Sequence, residues 1–356
     1  MITRFYGKRI AGILSVLPET EVLFTDEARN YAFPEKQTLR LKKIMGYEKH
    51  RIAKDSTATS DLCAYGLNHL LDQGLLHRDE IGALVVVTIT PDYFVPHVSN
   101  LLQARCGLSQ DVLCMDISQG CAGFVLGLFQ AFLLLDHMDG KKVVLVNADV
   151  LTHKVSRQDR NSYPLAGDAA CITVVENSAG NDAVWFNMHV DGSRGKALII
   201  PAGGSRLPCS PETAKLTADD EGNLRSLDNM CMNGTEVFQF AQSEVPPLID
   251  ETLGVAGLTK EQIDWYLFHQ PNRFMLRKLA EKIGVPYEKM PMNIVENFGN
   301  PSGASIPLCI TLNLADELCR EKKRCCLSAF GGGLAWGAIT MTLGEMDYCE
   351  MLYSDL

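Results

Sequence analysis

Short runs of apolar and β-branched residues recur along the chain, and longer segments with helical spacing separate them. Apolar runs bounded by turn-forming residues are typical of buried strands. Alternating strands and helices of these lengths indicate βαβ units, an α/β fold and a largely parallel sheet. The predicted strands are 83–90, 112–117, 143–147, 171–175, 265–268 and 325–327, and the predicted helices are 57–76, 98–106, 122–138, 236–253, 273–283 and 306–320.

A faint internal repeat indicates that this fold is duplicated. The blocks 107–123 and 284–303 share a glycine followed by an apolar residue, then Asp-Ile or Asn-Ile, then a turn of small residues that opens an apolar helix. Matches that keep their order and nearly keep their spacing are the signature of a repeated unit. We therefore predict an N-terminal half at 1–176 and a C-terminal half at 177–356.

Composition and charge exclude several classes of protein. The 356 residues are 46% apolar and 21% charged, which argues against disorder, and the net charge of −10 disfavours general binding to nucleic acid or anionic membrane. The longest apolar stretch, 122–135, would span about 21 Å as a helix, less than the roughly 30 Å that a bilayer core requires. Twelve cysteines without a CxxC pair or a metal-ligand spacing favour a reduced, cytoplasmic protein without a metal site.

Cys121 stands apart from the other cysteines. It follows the predicted strand 112–117 and begins the longest apolar helix. The unpaired N–H groups and the positive dipole end of a helix N-terminus stabilise a thiolate, so we expect a lowered thiol pKa. The same N–H groups can bind an oxyanion. The alternative is a small residue that only packs in a turn.

Three further positions carry candidate chemistry. His269 follows the predicted strand 265–268, and the carboxyl ends of strands are where α/β folds hold their sites, although a lone histidine is more often structural. Asn300 lies in a turn that caps a helix; in a duplicated fold this turn is equivalent to the one that carries Cys121, so the two would face each other. The glycines at 331–333 permit a close approach of the backbone.

Six motifs, in order along the chain, give a resemblance to the thiolase-fold condensing enzymes, and most of all to β-ketoacyl carrier-protein synthase III. The match runs nearly end to end. The motifs are Gln-Gly-Cys-Ala-Gly-Phe at 119–124, Ala-Gly-Asp-Ala-Ala at 166–170, Met-Asn-Gly-Thr-Glu-Val-Phe at 232–238, His-Gln-Pro-Asn at 269–272, Gly-Asn-Pro-Ser-Gly-Ala-Ser at 299–305 and Phe-Gly-Gly-Gly-Leu-Ala-Trp-Gly at 330–337.

The resemblance implies both a fold and a set of site residues. The expected fold is thiolase-like, with two βαβαβαββ halves stacked in five layers, α-β-α-β-α, usually in a homodimer. Cys121 would accept the acyl group, and His269 and Asn300 would complete the catalytic triad. The N–H groups of Cys121 and Gly332 would form the oxyanion hole, and neither a metal nor a cofactor is expected.

The resemblance also implies a reaction. An acyl group from acyl-coenzyme A or an acyl carrier protein is transferred to Cys121 and then undergoes a decarboxylative Claisen condensation with a malonyl thioester. This chemistry would serve fatty-acid biosynthesis or a specialised lipid or polyketide pathway. The chain departs from the family where coenzyme A is usually held: aligned on Gly46, the usual Trp and Arg positions are Arg40 and Ile44. We therefore expect a starter carried by a carrier protein.

The helix after His269 carries four cations that would dock this acidic carrier protein. A solvated helix face is the alternative, since Glu281 lies among them. The predicted docking residues are Arg273, Arg277, Lys278 and Lys282.

Other functions stay open from sequence alone. A thiolase-fold acyltransferase could pass the acyl group from Cys121 to an alcohol or amine without condensation. A cysteine hydrolase also uses Cys, His and Asn in this order, although the motifs at 299–305 and 330–337 argue against it. An inactive partner subunit is disfavoured by the intact triad.

Overall fold

Two β-sheets carry the fold, and the computed structural model describes all residues 1–356 around them. The strands are β1 (Ile2–Phe5), β2 (Lys8–Pro18), β3 (Glu21–Leu23), β4 (Lys49–Arg51), β5 (Ile81–Val87), β6 (Leu113–Ile117), β7 (Lys142–Val150), β8 (Asp168–Asn177), β9 (Val184–Val190), β10 (Leu198–Ile199), β11 (Thr217–Ala218), β12 (Leu224–Arg225), β13 (Cys231–Met232), β14 (Trp265–Phe268), β15 (Lys323–Gly331), β16 (Ala335–Leu343) and β17 (Tyr348–Ser354).

Helices separate and cover the sheets. None of them is both long and apolar enough to cross a bilayer. They are α1 (Phe24–Glu27), α2 (Glu35–Met45), α3 (Thr59–Asp72), α4 (Val98–Arg105), α5 (Gly123–Leu135), α6 (Gly234–Ala256), α7 (Arg273–Ile283), α8 (Ile294–Phe298), α9 (Ser305–Asn313) and α10 (Ala315–Arg320).

Both main sheets are mixed, so the prediction of a largely parallel sheet is wrong. The six-stranded sheet has the order β17-β2-β8-β7-β5-β6 and the five-stranded sheet has the order β1-β9-β16-β15-β14. Strands β5, β6 and β7 run parallel, as does the pair β14 and β15. Strand β8 lies antiparallel to β7 and β2, and β16 follows β15 through a tight turn, which enforces antiparallel pairing.

Alternating side chains on the six-stranded sheet produce the layers. Val85 and Val87 of β5 enter a core shared with the five-stranded sheet, whereas Leu84 and Val86 pack beneath α3 and α4. Helices α5 and α9 fill the space between the sheets, where Phe124 of α5 is fully buried. Helices α6 and α7 cover the outer face of the five-stranded sheet. The five-layered α-β-α-β-α prediction is confirmed.

The terminal strands exchange between the predicted halves 1–176 and 177–356. Strand β1 pairs with β9 in the five-stranded sheet, and β17 pairs in parallel with β2 in the six-stranded sheet. Each half therefore completes its sheet with a strand from the opposite end of the chain. The division of the chain at residue 176 stays a prediction.

One predicted helix is interrupted, and one long connection contains strands. The helix predicted at 306–320 is two helices, since Leu314 departs from helical geometry, with φ of −129° and ψ of 6°, between α9 and α10. The polar connection 202–228 contains the β11–β12 ribbon. Arg225 of β12 connects this ribbon to the segment that carries Asp159, because its guanidinium forms ion pairs with the carboxylates of Asp159 and Asp219.

Candidate active site

Cys121 lies in the tight turn between β6 and α5, half-buried beneath the end of β15. Helix α5 begins at Gly123 rather than at the cysteine, with Ala122 as its N-cap. A methyl group on Gly331 would lie 2.5 Å from Cβ and 3.0 Å from Sγ of Cys121. Only glycine therefore allows β15 to pass this close to the thiol.

Two main-chain N–H groups point toward the thiol. They belong to Cys121 itself and to Gly332, the pair expected to form an oxyanion hole. The Gln119 side chain holds the glycine segment in place, since its Nε2 donates a hydrogen bond to the Gly332 carbonyl oxygen at 2.8 Å. A carbonyl oxygen placed at the sulfur would meet two donors that are already oriented.

The expected low pKa of Cys121 is wrong for the free enzyme. Burial raises the pKa of the thiol to about 11, and the nearby Asp149 carboxylate adds to the rise. The N–H groups of Cys121 and Gly332 act in the opposite direction but do not compensate for burial. The thiol is therefore protonated at neutral pH.

His269 lies at the carboxyl end of β14, as its sequence position predicts. Its main-chain N–H donates a hydrogen bond to Ser328 O at 2.8 Å. Its ring lies edge-on to the Phe330 ring, with 5.7 Å between the ring centres. The imidazole is buried, which lowers its pKa to about 3. The ring is therefore neutral at physiological pH.

Ser305 is the hydrogen-bond partner of one ring nitrogen of His269. Ser305 Oγ lies 2.7 Å from His269 Nδ1 and accepts a hydrogen bond from the Gln270 N–H at 3.4 Å. When the hydroxyl group donates to Nδ1, the neutral ring carries its proton on Nε2, where it can be donated to a substrate.

Asn300 is fixed by its main chain beside β8. Its N–H donates to Leu165 O at 2.5 Å, and its own carbonyl accepts from the Gly167 N–H at 3.3 Å. Its side-chain Oδ1 accepts a hydrogen bond from the Ser302 N–H at 2.9 Å. Because the amide oxygen is engaged, the Nδ2 amine is the group left to contact a substrate.

Ser302 lies next to all three candidate residues, and the sequence did not identify it as a site residue. Its hydroxyl lies beside the Cys121 thiol, its main chain contacts His269, and its N–H holds Asn300. It is buried and adopts φ of +53°, a left-handed conformation that is uncommon outside glycine. The residues Cys121, His269 and Asn300 are thus brought together around the turn that carries Ser302.

Asp149 is a second residue that sequence reasoning missed. It lies in β7, and its Oδ1 accepts hydrogen bonds from the hydroxyls of Thr88 and Thr90 and from the Ile89 N–H. Burial raises the pKa of its carboxyl group to about 6, and the Ser302 hydroxyl counters part of that rise. A carboxyl group that is mostly ionised at pH 7 therefore lies near the thiol.

The predicted docking cations lie on α7, but each already has a partner within the chain. Arg273 pairs with Glu296 at 3.1 Å, and Lys278 pairs with Glu281 at 2.7 Å. The Arg277 guanidinium lies 5.2 Å from the centre of the Tyr287 ring, and Lys282 Nζ donates to the Gln242 carbonyl. The side chain of Arg273 also packs against Gly46 at the end of α2.

Two family models match separate stretches of the chain. Residues 115–192 match 3-oxoacyl-[acyl-carrier-protein] synthase III, and residues 253–343 match its C-terminal part. A β-ketoacyl-[acyl-carrier-protein] synthase III of Xanthomonas campestris is 32% identical over 95% of this chain and 98% of its own. Its counterpart from Syntrophomonas wolfei is 33% identical over 84% of this chain and 87% of its own.

Solved structures show the same architecture. The crystal structure of a 3-oxoacyl-(acyl-carrier protein) synthase from Burkholderia xenovorans superposes with a TM-score of 0.91 at 33% identity and covers 99% of both chains. The thiolase-like fold is therefore confirmed, and the chain belongs to the 3-oxoacyl-[acyl-carrier-protein] synthase III family.

Proposed function

We propose that the protein transfers an acyl group from a thioester to Cys121 and condenses it with a malonyl thioester as CO₂ is lost. The observation that carries this proposal is the meeting of a thiol, a neutral imidazole and a free amide around Ser302. Each has the chemical form that one step of the reaction requires. Membership of the family supports the same assignment.

In the first step, the Cys121 sulfur attacks the carbonyl carbon of the incoming acyl thioester. The carbonyl oxygen becomes an oxyanion, which the N–H groups of Cys121 and Gly332 would stabilise. Collapse of this intermediate breaks the bond to the donor sulfur. The donor leaves as a thiol with the proton that Cys121 loses, and an acyl-enzyme remains.

In the second step, a malonyl thioester loses CO₂ and becomes an enolate. His269 Nε2–H and the Asn300 amine would donate hydrogen bonds to its thioester oxygen, where the negative charge develops. The carbanion carbon then attacks the acyl carbonyl on Cys121. The new carbon–carbon bond forms as the carbon–sulfur bond breaks, which releases the β-ketoacyl thioester and the Cys121 thiolate.

The neutral state of His269 supports condensation over hydrolysis. A cysteine hydrolase uses its histidine to accept a proton and activate water, which requires a pKa near the working pH. Burial lowers the pKa of His269 to about 3, so the neutral ring suits donation of a hydrogen bond to the enolate oxygen.

The partners follow from this chemistry. We propose an acyl carrier protein as the malonyl donor and an acyl thioester, carried by coenzyme A or by a carrier protein, as the starter. The thioester bonds supply the activation, so the proposed reaction uses neither a metal nor a cofactor. We further propose that the enzyme works as a homodimer in the cytoplasm.

The proposal is tested by following CO₂ and product together. The protein, preloaded with an acyl group, is mixed with malonyl-carrier protein labelled in its free carboxyl group. We expect labelled CO₂ and a β-ketoacyl-carrier protein in equal amounts, and losses of at least about 100-fold in both for His269→Ala and Asn300→Ala. Discharge of the acyl-enzyme to an alcohol, an amine or water without CO₂ release would contradict condensation.

A further inference from the structure

The outward side of α2 is an exposed surface that combines cations with apolar side chains. Positions three and four residues apart lie on the same side of a helix, and all five side chains on this side are exposed. The surface, called the α2 outer face below, consists of Lys36, Leu39, Arg40, Lys43 and Ile44.

The cations of the α2 outer face have no partner within the chain. Lys42, on another side of α2, pairs with Glu48, whereas Lys36, Arg40 and Lys43 take part in no ion pair or side-chain hydrogen bond. The one carboxylate on the helix, Glu35, lies at its first position, four residues before Leu39, and takes part in no ion pair. Three free positive charges on a protein of net charge −10 form a local positive surface.

This absence of partners distinguishes α2 from α7. The α7 cations predicted for docking are engaged by Glu296, Glu281, the Tyr287 ring and the Gln242 carbonyl. A partner that bound α7 would first have to break these contacts. A partner that bound the α2 outer face would lose no protein contact and would cover two exposed apolar side chains.

Helix α2 also lies next to the candidate active site. Its inner residues Leu41 and Met45 pack against a buried cluster that contains Leu165 and Val295. The Leu165 carbonyl accepts the hydrogen bond that fixes Asn300, and Val295 belongs to α8, which ends just before Asn300. Helix α2 and the Asn300 turn therefore contact the same buried cluster.

We infer that the α2 outer face docks an acidic helix of the acyl carrier protein that delivers the starter acyl group to Cys121. The inference rests on the proposed function. Lys36, Arg40 and Lys43 would meet carboxylates of the carrier protein, and Leu39 and Ile44 would pack against apolar side chains between those carboxylates. The carrier protein's flexible pantetheine arm would then reach past α2 to the thiol.

The test compares three acyl donors that share one acyl group: acyl-carrier protein, acyl-coenzyme A and the small thioester acyl-N-acetylcysteamine. Acylation of Cys121 is measured for the wild type and for the variant Lys36→Glu/Arg40→Glu/Lys43→Glu. The matched control is Arg320→Glu/Lys322→Glu, two exposed cations that precede β15 at the end opposite its glycine segment. A third variant, Arg277→Glu/Lys282→Glu, tests α7.

We expect the α2 variant to raise KM for the acyl-carrier protein at least tenfold and to acylate normally from acyl-N-acetylcysteamine. The control should match the wild type with every donor. Added salt should raise the wild-type KM for the carrier protein and leave that of the α2 variant nearly unchanged, since salt screens the charges removed in the variant.

Several results would overturn the inference. The first is an unchanged KM for the acyl-carrier protein in the α2 variant. The second is an equal increase in KM for acyl-coenzyme A, which would assign the cations to the phosphates of coenzyme A. The third is a tenfold increase in KM for the acyl-carrier protein in the α7 variant alone. If the wild type accepts an acyl group from none of the three donors, the proposed function fails first, and docking fails with it.

Discussion

At the scale of single residues, Cys121 and His269 are both uncharged at rest. The pKa of Cys121 is raised to about 11 and that of His269 is lowered to about 3, so the pair is a thiol and a neutral imidazole. Both shifts have burial as their largest cause. The site is therefore arranged for donors that stabilise a transient oxyanion or enolate, rather than for a permanent thiolate–imidazolium ion pair.

The buried His269 makes stability depend on pH. The unfolded chain binds a proton at histidine below about 6.5, whereas the folded state binds it only near pH 3, so acid favours unfolding across this window. The unfolding free energy of the wild type, relative to His269→Gln, should fall by up to about 1.4 kcal/mol per pH unit below pH 6.5. Denaturant titrations between pH 4.5 and 7.5 measure this difference. Parallel profiles for the two proteins would contradict it.

The close approach of Gly331 to the thiol gives a second prediction at this scale. In Gly331→Ala, the added methyl group would overlap Cβ of Cys121 and displace the thiol from its N–H donors. We expect acylation to slow at least tenfold, or about 1.4 kcal/mol in activation free energy, with the circular dichroism spectrum retained.

Gly254→Ala is the matched control for this substitution. Gly254 lies in α6 with no atom within 4 Å of an added methyl group. Alanine there should leave acylation unchanged and stabilise the helix by about 0.5–1 kcal/mol. Equal acylation rates in Gly331→Ala and Gly254→Ala would show that Gly331 does not position the thiol.

The sequence identifies residues whose chemistry follows from their place in the chain, and misses those placed by tertiary contacts. Cys121, His269 and Asn300 each follow a predicted strand or open a predicted helix, so their meeting could be expected. Asp149 lies inside a buried strand, and Ser302 looks like one more small turn residue. Their proximity to the thiol depends on the packing of β7 and of the Asn300 turn.

At the scale of elements, β17 closes an edge of the six-stranded sheet. It pairs in parallel with β2 along seven positions, which leaves the outer edge of β2 covered. Tyr348 begins this strand and packs against Gly12, where any side chain would overlap its ring. The sequence analysis predicted no strand here, because parallel pairing with a distant β2 leaves no local signal.

Tyr348 tests how much this strand contributes to stability. Its ring is buried and its hydroxyl group has no hydrogen-bond partner. We expect Tyr348→Ala to lower the free energy of unfolding by about 3 kcal/mol, because it leaves a cavity against Gly12. Tyr348→Phe keeps the ring and removes an unsatisfied polar group, so its stability should equal or exceed that of the wild type. A similar loss in both variants, measured by urea denaturation, would contradict this account.

At the scale of the whole molecule, one apolar surface is left uncovered. Tyr93, Phe94 and Val95 are consecutive and exposed, with Val95 82% accessible, and they lie near the six-stranded sheet, whose outer strand β6 is unpaired on one side. A soluble chain seldom exposes such a cluster unless another protein covers it. The composition could not locate this surface, since scattered exposed apolar residues are normal.

The homodimer proposed above should depend on this loop. We expect light scattering to give about twice the 39.2 kDa chain mass for the wild type and a substantially lower mass for Phe94→Asp/Val95→Asp. Val190→Asp is the matched control, since Val190 is also exposed but isolated in sequence from other exposed apolar residues. Equal masses for the double variant and the wild type would contradict a role of the loop in assembly.

The most direct test of the account is the intact mass of the protein after incubation with acyl-coenzyme A and acyl-carrier-protein donors. We expect one adduct of acyl mass on the wild type, none on Cys121→Ser, and an unchanged adduct on Cys209→Ser, which removes an exposed cysteine instead. An adduct that persists in Cys121→Ser, or no adduct with any donor, would contradict the claim that Cys121 carries the acyl group.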